Sequence, residues 1–462
     1  MQLKYFILIL LFSSFIIFPS GIIDLNDVYD YENIEVPDYI TKHNTTTGNE
    51  ITNSGATLGR VLFYDKNLSS DITISCASCH HQEFAFGDTE RASIGVNGTT
   101  GRHSMRLVNS KFTFEGKAFW DERASTFEVQ ATMPIRDHIE MGFSGENGDP
   151  NFEDLIERLN ELEYYPLLFE FAFGDSEITE YRIQKSLTQF IKSITSFDSK
   201  YDIGREQVSG NYNYFPNFTS QENLGKSLFF NSPSNGGAGC FRCHTGSEIS
   251  IIAHTLNNGI IGVIGEEDEV DLFVTKAPTL RDLINPQGVL NGPIMHDGSL
   301  NSLMDVVNHY NDLEATEENP QLDSRLIGPE NDLNFTQQQK DALVAFLETL
   351  TGDDVYTAEQ WSDPFDENGE LIVIPLIVGL EEVSSLNKVK LFPNPTSTKF
   401  SLNLKEGSYQ LLIFDINGKL LRNTSANAHH QEDVSDLRNG IYFVQIKNIN
   451  TKESTVQKLV KI

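Results

Sequence analysis

The sequence predicts a multidomain chain: two mainly α domains of one type, followed by a small all-β sandwich. Three observations predict it. A stretch with helical spacing occurs twice, as LGRVLFYD from Leu58 and LGKSLFFN from Leu224. Each leads, 18 and 16 residues after its leucine, to a two-cysteine motif, and the two motifs start 164 residues apart, a domain-sized period. Near Leu386 both the hydrophobic period and the charge then change: from there on 11 Lys+Arg stand against 6 Asp+Glu, whereas the preceding residues hold 23 and 60. Such a shift marks a boundary between modules.

Length and composition bound the function. The 462 residues are 39% hydrophobic, enough for several cores. Lys+Arg number 34 and Asp+Glu 66, a formal charge of −32. Phosphates repel so acidic a chain, which excludes nucleic acid as a partner.

The segments follow in order. Residues 1–20, MQLKYFILILLFSSFIIFPS, carry one charge, Lys4, before an apolar run that small residues close. This reads as a secretory signal peptide; an uncleaved membrane anchor is the alternative. Residues 21–50 form an N-terminal extension. The first α domain is expected over 51–215, with Leu58, Val61 and Leu62 on one helix face. Phe152–Phe173 is also helical in pattern. The second α domain is expected over 216–352. It closes with Leu343, Phe346, Leu347 and Leu350 at i, i+3, i+4, i+7 and Gly352 as the helix end. Residues 353–385 have the acidic, Pro- and Gly-containing composition of a linker. Residues 386–462 alternate in short runs (KFSLNL, GIYFVQIKN) separated by Pro393-Asn394-Pro395, Asn417-Gly418 and Asn439-Gly440, which predicts antiparallel strands.

All four cysteines fall in two CxxCH motifs: Cys76, Cys79, His80 and Cys240, Cys243, His244. This is the attachment signature of c-type haem. Two thiols at this spacing can form thioethers with both vinyl groups of one haem, and the adjacent histidine ligates its iron. A zinc site needs four ligands, which one CxxCH cannot supply. A thioredoxin-type CxxC wants a βαβ context that is absent here. Two covalently bound c-type haems are expected, in two cytochrome c-like haem domains, and export fits because such haem is attached outside the cytoplasm.

Longer segments carry a resemblance. They are SIGVNGTTGRHSMRLVNS (93–110), FWDERASTFEVQ (119–130), MPIRDHIEMG (133–142), KAPTLRDL (276–283) and GPIMHDGSLNSLMDVVNHY (292–310). With the two CxxCH motifs they resemble, in order, the bacterial dihaem cytochrome c peroxidase family, which includes the MauG-type enzymes. The resemblance implies that hydrogen peroxide is reduced to water at the N-terminal haem, on His80, with electrons delivered through the C-terminal haem, on His244. It implies that Glu140 is the distal acid/base group, that Trp120 lies between the haems as an electron relay, and that Gln130 and Pro134 line the peroxide pocket. By themselves Glu140 reads as a solvated residue and Trp120 as a packed core aromatic. Where classical members carry a capping histidine this chain has Val96, Asn97 and Gly98, which implies an open, five-coordinate peroxide site. At the second haem, Tyr310 stands fourteen residues after His296, where classical peroxidases have methionine and MauG-type enzymes have tyrosine. Tyr310 is therefore implied as the sixth iron ligand, with His309 and Met304 as rivals, and His296 near the haem edge. An interdomain Ca²⁺ would involve His103, Asn291 and Pro293, with histidine standing where the family has asparagine.

The last module resembles the type A sorting domain of type IX secretion substrates, through its PNP, FDINGKLL, NGIYFVQI and terminal KLVKI. A carbohydrate-binding or structural β-module is the alternative. The sorting domain implies the type IX machinery as partner and passage from the periplasm to the cell surface or medium. A small electron-donor cytochrome or other redox protein is the expected redox partner, and a homodimer is left open. Two further readings compete with a simple peroxidase: a MauG-like peroxide-dependent oxidase of a partner-protein side chain, and a pure electron-transfer dihaem cytochrome.

Overall fold

The computed structural model describes residues 21–462 except 114–115, 247–248, 252–256, 273–275, 314–318, 328–332, 377–388, 406, 417–418 and 451–453. The expected signal peptide lies outside these residues, as does the Asn417-Gly418 turn. Residues 27–373 cluster as one compact unit and 374–462 as another.

In the first unit the repeated segments become helices α1 (Asn53–Tyr64) and α7 (Ser220–Phe230). Thr52 caps α1 by accepting the Gly55 amide, and Thr219 closes a capping box with Glu222 on α7. Between them come α2 (Phe127–Arg136), α3 (Phe152–Glu161), α4 (Tyr164–Phe173), α5 (Glu180–Ser193) and α6 (Lys200–Glu206). After them come α8 (Leu303–Asn311) and α9 (Gln337–Glu348). The helical run from Phe152 breaks into α3 and α4. Pro166 then sits in the first turn of α4, where a missing N–H is harmless.

Two helix pairs repeat one packing device. α1 crosses α5 and α7 crosses α9. At each crossing the glycine of the LG pair meets the partner's backbone. A Cβ at Gly59 would run into the Ser186 carbonyl, and one at Gly225 into the Ala342 carbonyl. The glycines thus let the helices approach to backbone contact, and the flanking Leu58, Val61, Leu62 and Phe63, or Phe229 and Phe230, fill the cores. Gly225→Ala is expected to cost about 1–3 kcal/mol by overpacking, read as a lower urea midpoint.

Two expectations are corrected. α9 ends at Glu348 rather than at Gly352, because the Thr349 amide already turns back to Phe346 and Leu347. Gly352 instead donates its N–H to Asp282 and lies against Asp198. The first part of the expected linker is packed. Val355 and Trp361 are buried, and this strap accepts hydrogen bonds from Tyr31 at Gln360 (2.5 Å), from Tyr64 at Trp361 (2.6 Å) and from Arg60 at Ser362 (2.6 Å). Its apolar residues turn inward while its carboxylates keep water, so acidic composition alone misled. Residues 377–385 of that stretch lie outside the described ones.

The second unit holds strands β1 (Leu391–Phe392), β2 (Lys399–Asn403), β3 (Tyr409–Phe414), β4 (Leu420–Ala426), β5 (His429–Asp433), β6 (Gly440–Asn448) and β7 (Ser454–Lys461). Two antiparallel sheets form, in orders β4-β3-β6-β7 and β5-β2-β1. Tyr409, Leu411 and Ile413 alternate with exposed or half-buried neighbours, as do Tyr442, Val444 and Ile446. These inward sets meet Phe400 and Leu402 in one core. Among the described residues no helix is long and apolar enough to cross a membrane.

Candidate functional site

Both CxxCH motifs line cavities in the first unit. The first cavity, about 70 Å³, has Cys76, Cys79, His80, Gln130, Pro134 and Glu140 in its wall. Cys76–Ser78 form a single tight turn that brings the His80 amide to the Cys76 carbonyl at 3.0 Å. The His80 Nδ1 faces the Phe86 carbonyl at 3.2 Å. A carbonyl only accepts, so Nδ1 carries the proton and Nε2 keeps its lone pair, the state a metal-ligating imidazole needs. Burial pushes the His80 pKa down to about 4, which keeps it neutral. Burial also pushes the Cys76 and Cys79 thiols up to about 12 and about 11.

α2 and the turn after it supply the rest of this wall. Thr126 caps α2. Pro134 cannot continue the helix ladder, and the chain leaves at Asp137, whose Oδ1 accepts the Ile139 and Glu140 amides at 2.8 and 3.0 Å. Glu140 is thereby set at the cavity. Burial, reinforced by the nearby Asp137 charge, raises its carboxyl to about 7. A carboxyl poised there can both take and return a proton near neutral pH.

The second cavity, about 180 Å³, is lined among others by Cys240, Cys243, His244, Trp120, Met295 and Tyr310. Burial pushes the Cys240 thiol up to about 12 and the His244 pKa down to about 4. Tyr310 sits in the last turn of α8; its hydroxyl accepts from the Asn258 side-chain amide at 3.2 Å, and burial raises its pKa. The rivals do not line the cavity. His309 Nε2 is engaged by the Asn258 carbonyl at 2.9 Å, and Met304 lies by Gln337. Met295, which the sequence reading missed, does line it, with a left-handed backbone (φ 78°). Its place beside His296 in the MHDG run was the available signal.

Trp120 is buried and lines the second cavity but not the first. Its indole N–H donates to the His103 carbonyl at 2.7 Å, and its ring meets His296 edge-on at 6.3 Å. The next residue, Ser104, lines both cavities. Sequence reasoning missed this shared wall, because a serine inside a loop carries no pattern. His103 turns its Nδ1 to the Glu90 carbonyl (2.9 Å), so its imidazole is engaged. Asn291 Oδ1 is buried without a hydrogen-bond partner, while its amide donates to the Asp282 carbonyl and the Tyr356 hydroxyl. Pro293 shares the second cavity's wall with His103; Asn291 does not. Asn291 thus offers one free side-chain oxygen; a calcium ion takes six to eight oxygens, backbone carbonyls and waters among them. The CxxCH sites, by contrast, fit haem: two thiols and a neutral imidazole on the wall of each cavity.

A mainly α haem unit followed by a β-sheet secretion module is the class these features define. Residues 53–208 match the profile of di-haem cytochrome c peroxidase, and residues 390–462 match that of the secretion system C-terminal sorting domain. The methylamine utilization protein MauG of Methylorubrum extorquens is 30% identical over 65% of this chain and 79% of that protein. The cytochrome c551 peroxidase of Nitrosomonas europaea is 28% identical over 64% of this chain and 80% of its own. The crystal structure of a MauG-like protein associated with microbial copper homeostasis superposes with a TM-score of 0.59 at 28% identity, covering 72% of this chain and 99% of that one. The chain belongs to the di-haem cytochrome c peroxidase family. It is an oxidoreductase, and its type IX sorting domain marks it for export to the cell surface or medium.

Proposed function

We propose that this protein reduces hydrogen peroxide to water in the first cavity, with electrons reaching it from the second. The observation that carries this is Glu140, a half-buried carboxyl raised to about 7 in the same wall as Cys76, Cys79 and His80. Pure electron transfer needs no such proton shuttle. The two cavities are read as two cytochrome c-like haem domains, about 51–215 and 216–352, each holding one covalently attached haem. Cys76 and Cys79, and Cys240 and Cys243, would form the thioethers; His80 and His244 would ligate iron. Bound haem would supply the iron that meets peroxide and the redox centres that pass electrons.

The chain's own residues do the rest. Ionised Glu140 takes a proton from the bound peroxide and returns it at the leaving oxygen. Gln130 and Pro134 shape the pocket. Trp120, held through its N–H on the His103 carbonyl beside Ser104, is the candidate electron relay. Tyr310 faces the second cavity as the sixth-ligand candidate; a phenolate is a hard anion that favours ferric iron and lowers the potential. The electrons come from an outside donor, a small cytochrome or another redox protein.

Tyr310, together with the histidine-free loop at Val96–Gly98, favours a second reading, a MauG-like oxidase acting on a side chain of a partner protein. Stopped-flow absorption of the fully ferric protein with one equivalent of H₂O₂ separates the cases. A fast Soret change without prior reduction is expected from an open site. No reaction until one haem is reduced would mean a reductively activated peroxidase, and none in either state would leave electron transfer alone. Tyr310→Phe is expected to change the spectrum and potential of the second haem; an unchanged spectrum removes Tyr310 as a ligand.

A further inference from the structure

The loop bearing Asn97 contributes Ile94 and Gly95 to the wall of the first cavity. It forms a small hairpin, with the Gly95 amide on the Gly98 carbonyl at 2.8 Å and a bridge between Ile94 and Thr99. Its edge is bonded along the turn that carries Glu140. The Val96 amide donates to the Glu140 carbonyl at 3.0 Å, and the Asn97 amide to the Ile139 carbonyl at 3.2 Å. The Asn97 side chain donates to the His138 carbonyl at 2.8 Å. The contact is close enough to demand glycine. A Cβ at Gly95 would run into the Ile139 carbonyl, and one at Gly142 (φ +75°) into Ser70 and Val96.

The far side of the turn is tied as well. His138 Nδ1 pairs with Asp149 at 2.8 Å, and Asp149 accepts the Ser144 hydroxyl at 2.7 Å. Asp137 holds the near side, accepting the Met141 and Gly142 amides at its carbonyl, at 3.3 and 2.8 Å. The 137–142 turn is therefore bonded on both flanks, and among the described residues Asn97 bridges the two loops through its side chain.

We propose that Asn97 is a positioning residue for Glu140, and that the 94–99 hairpin is a fixed brace that keeps that carboxyl facing the first cavity. The inference rests on the reading of Glu140 as the proton-carrying group. A braced turn holds the half-buried carboxyl against the cavity wall. Its charged neighbours are Asp137 and Arg123, with His80 and the two cysteines, thioethers once haem is attached, in the same wall, and His138 and Asp149 in the brace itself. Without the brace the turn loosens, water reaches the carboxyl, and its pKa relaxes toward the ordinary glutamate value of about 4.3.

The test is the pH profile of the peroxide reaction of the haem-loaded protein, measured by stopped flow. Asn97→Ala is expected to slow the reaction about tenfold at pH near 8 and to move the ascending limb down by about one pH unit or more. Asn97→Ser keeps a donor and is expected to fall between it and the parent. Gly95→Ala pushes on the Ile139 carbonyl and is expected to shift the limb by a different route. A limb that stays in place in both Asn97 variants would overturn the proposal, even if thermal stability falls, because a merely structural loop would not move it. Glu140→Gln separates the two failures: if that variant keeps the limb, the Glu140 reading is wrong, whereas a lost limb with an unmoved Asn97→Ala profile condemns the brace alone.

Discussion

Glu140→Gln is expected to lower the rate of peroxide reduction by about 10²–10⁴-fold while leaving both haems attached. The amide keeps the shape of the carboxyl but cannot take a proton. The pH dependence has a definite sign. Burial and the Asp137 charge raise the carboxyl to about 7, so it is mostly protonated below that value and ionised above it. Acting first as a base, it is competent when ionised. The rate should therefore climb as pH rises through about 7, and this limb should vanish in Glu140→Gln. Steady-state peroxide consumption with a reduced donor, followed across pH, measures both. Unchanged turnover would dismiss Glu140 from the chemistry.

Asp202→Asn is expected to have the largest effect on stability, about 3–5 kcal/mol. Asp202 and Arg281 are both fully buried and meet through two bonds, at 2.8 and 2.9 Å. Tyr39 donates its hydroxyl to the same carboxylate at 2.6 Å, and Ser199 caps it. Removing the charge takes from the buried Arg281 guanidinium the carboxylate that holds it through two bonds, which is why one broken partner costs more than the pair contributes. Burial alone would raise the Asp202 pKa, but the Arg281 charge and the hydrogen bonds from Arg281, Ser199 and Tyr39 outweigh it and hold the carboxyl below its usual range. A carboxyl lowered on folding stabilises above its unfolded pKa, about 3.9, and that contribution is lost as pH falls through the folded value. Urea midpoints of parent and variant should converge in acid. Adding Arg281→Met to Asp202→Asn should recover part of the loss; no recovery would show that the pair is not the cause.

Much of the architecture was legible along the chain. Helices α1 and α7 follow from the spacing in LGRVLFYD and LGKSLFFN, and the sandwich follows from period-two runs such as Tyr409, Leu411, Ile413. Three things were not. Gly352 looked like a helix end, yet α9 closes earlier because Thr349 turns the backbone first. Residues 353–385 looked like linker, because a few buried side chains (Val355, Trp361) do not stand out among many acids. Met295 and Ser104 join cavity walls only because loops distant in sequence fold together there.

What the sequence by itself determined is the local chemistry: two CxxCH motifs, a repeated helix and a β-rich tail, each set by covalent spacing or by the period of its own segment. What only the tertiary structure decided is orientation and environment. Successive residues on a helix point about 100° apart, so His309 and Tyr310 leave α8 in different directions. The docking of α8 turned Tyr310 to the cavity and His309 to the Asn258 carbonyl. Likewise a glutamate four residues past a helix end has no fixed pKa of its own. Burial beside Asp137, under a hairpin some forty residues earlier in the chain, brought Glu140 to about 7, because desolvation belongs to the whole surroundings of a group and not to its neighbours in sequence.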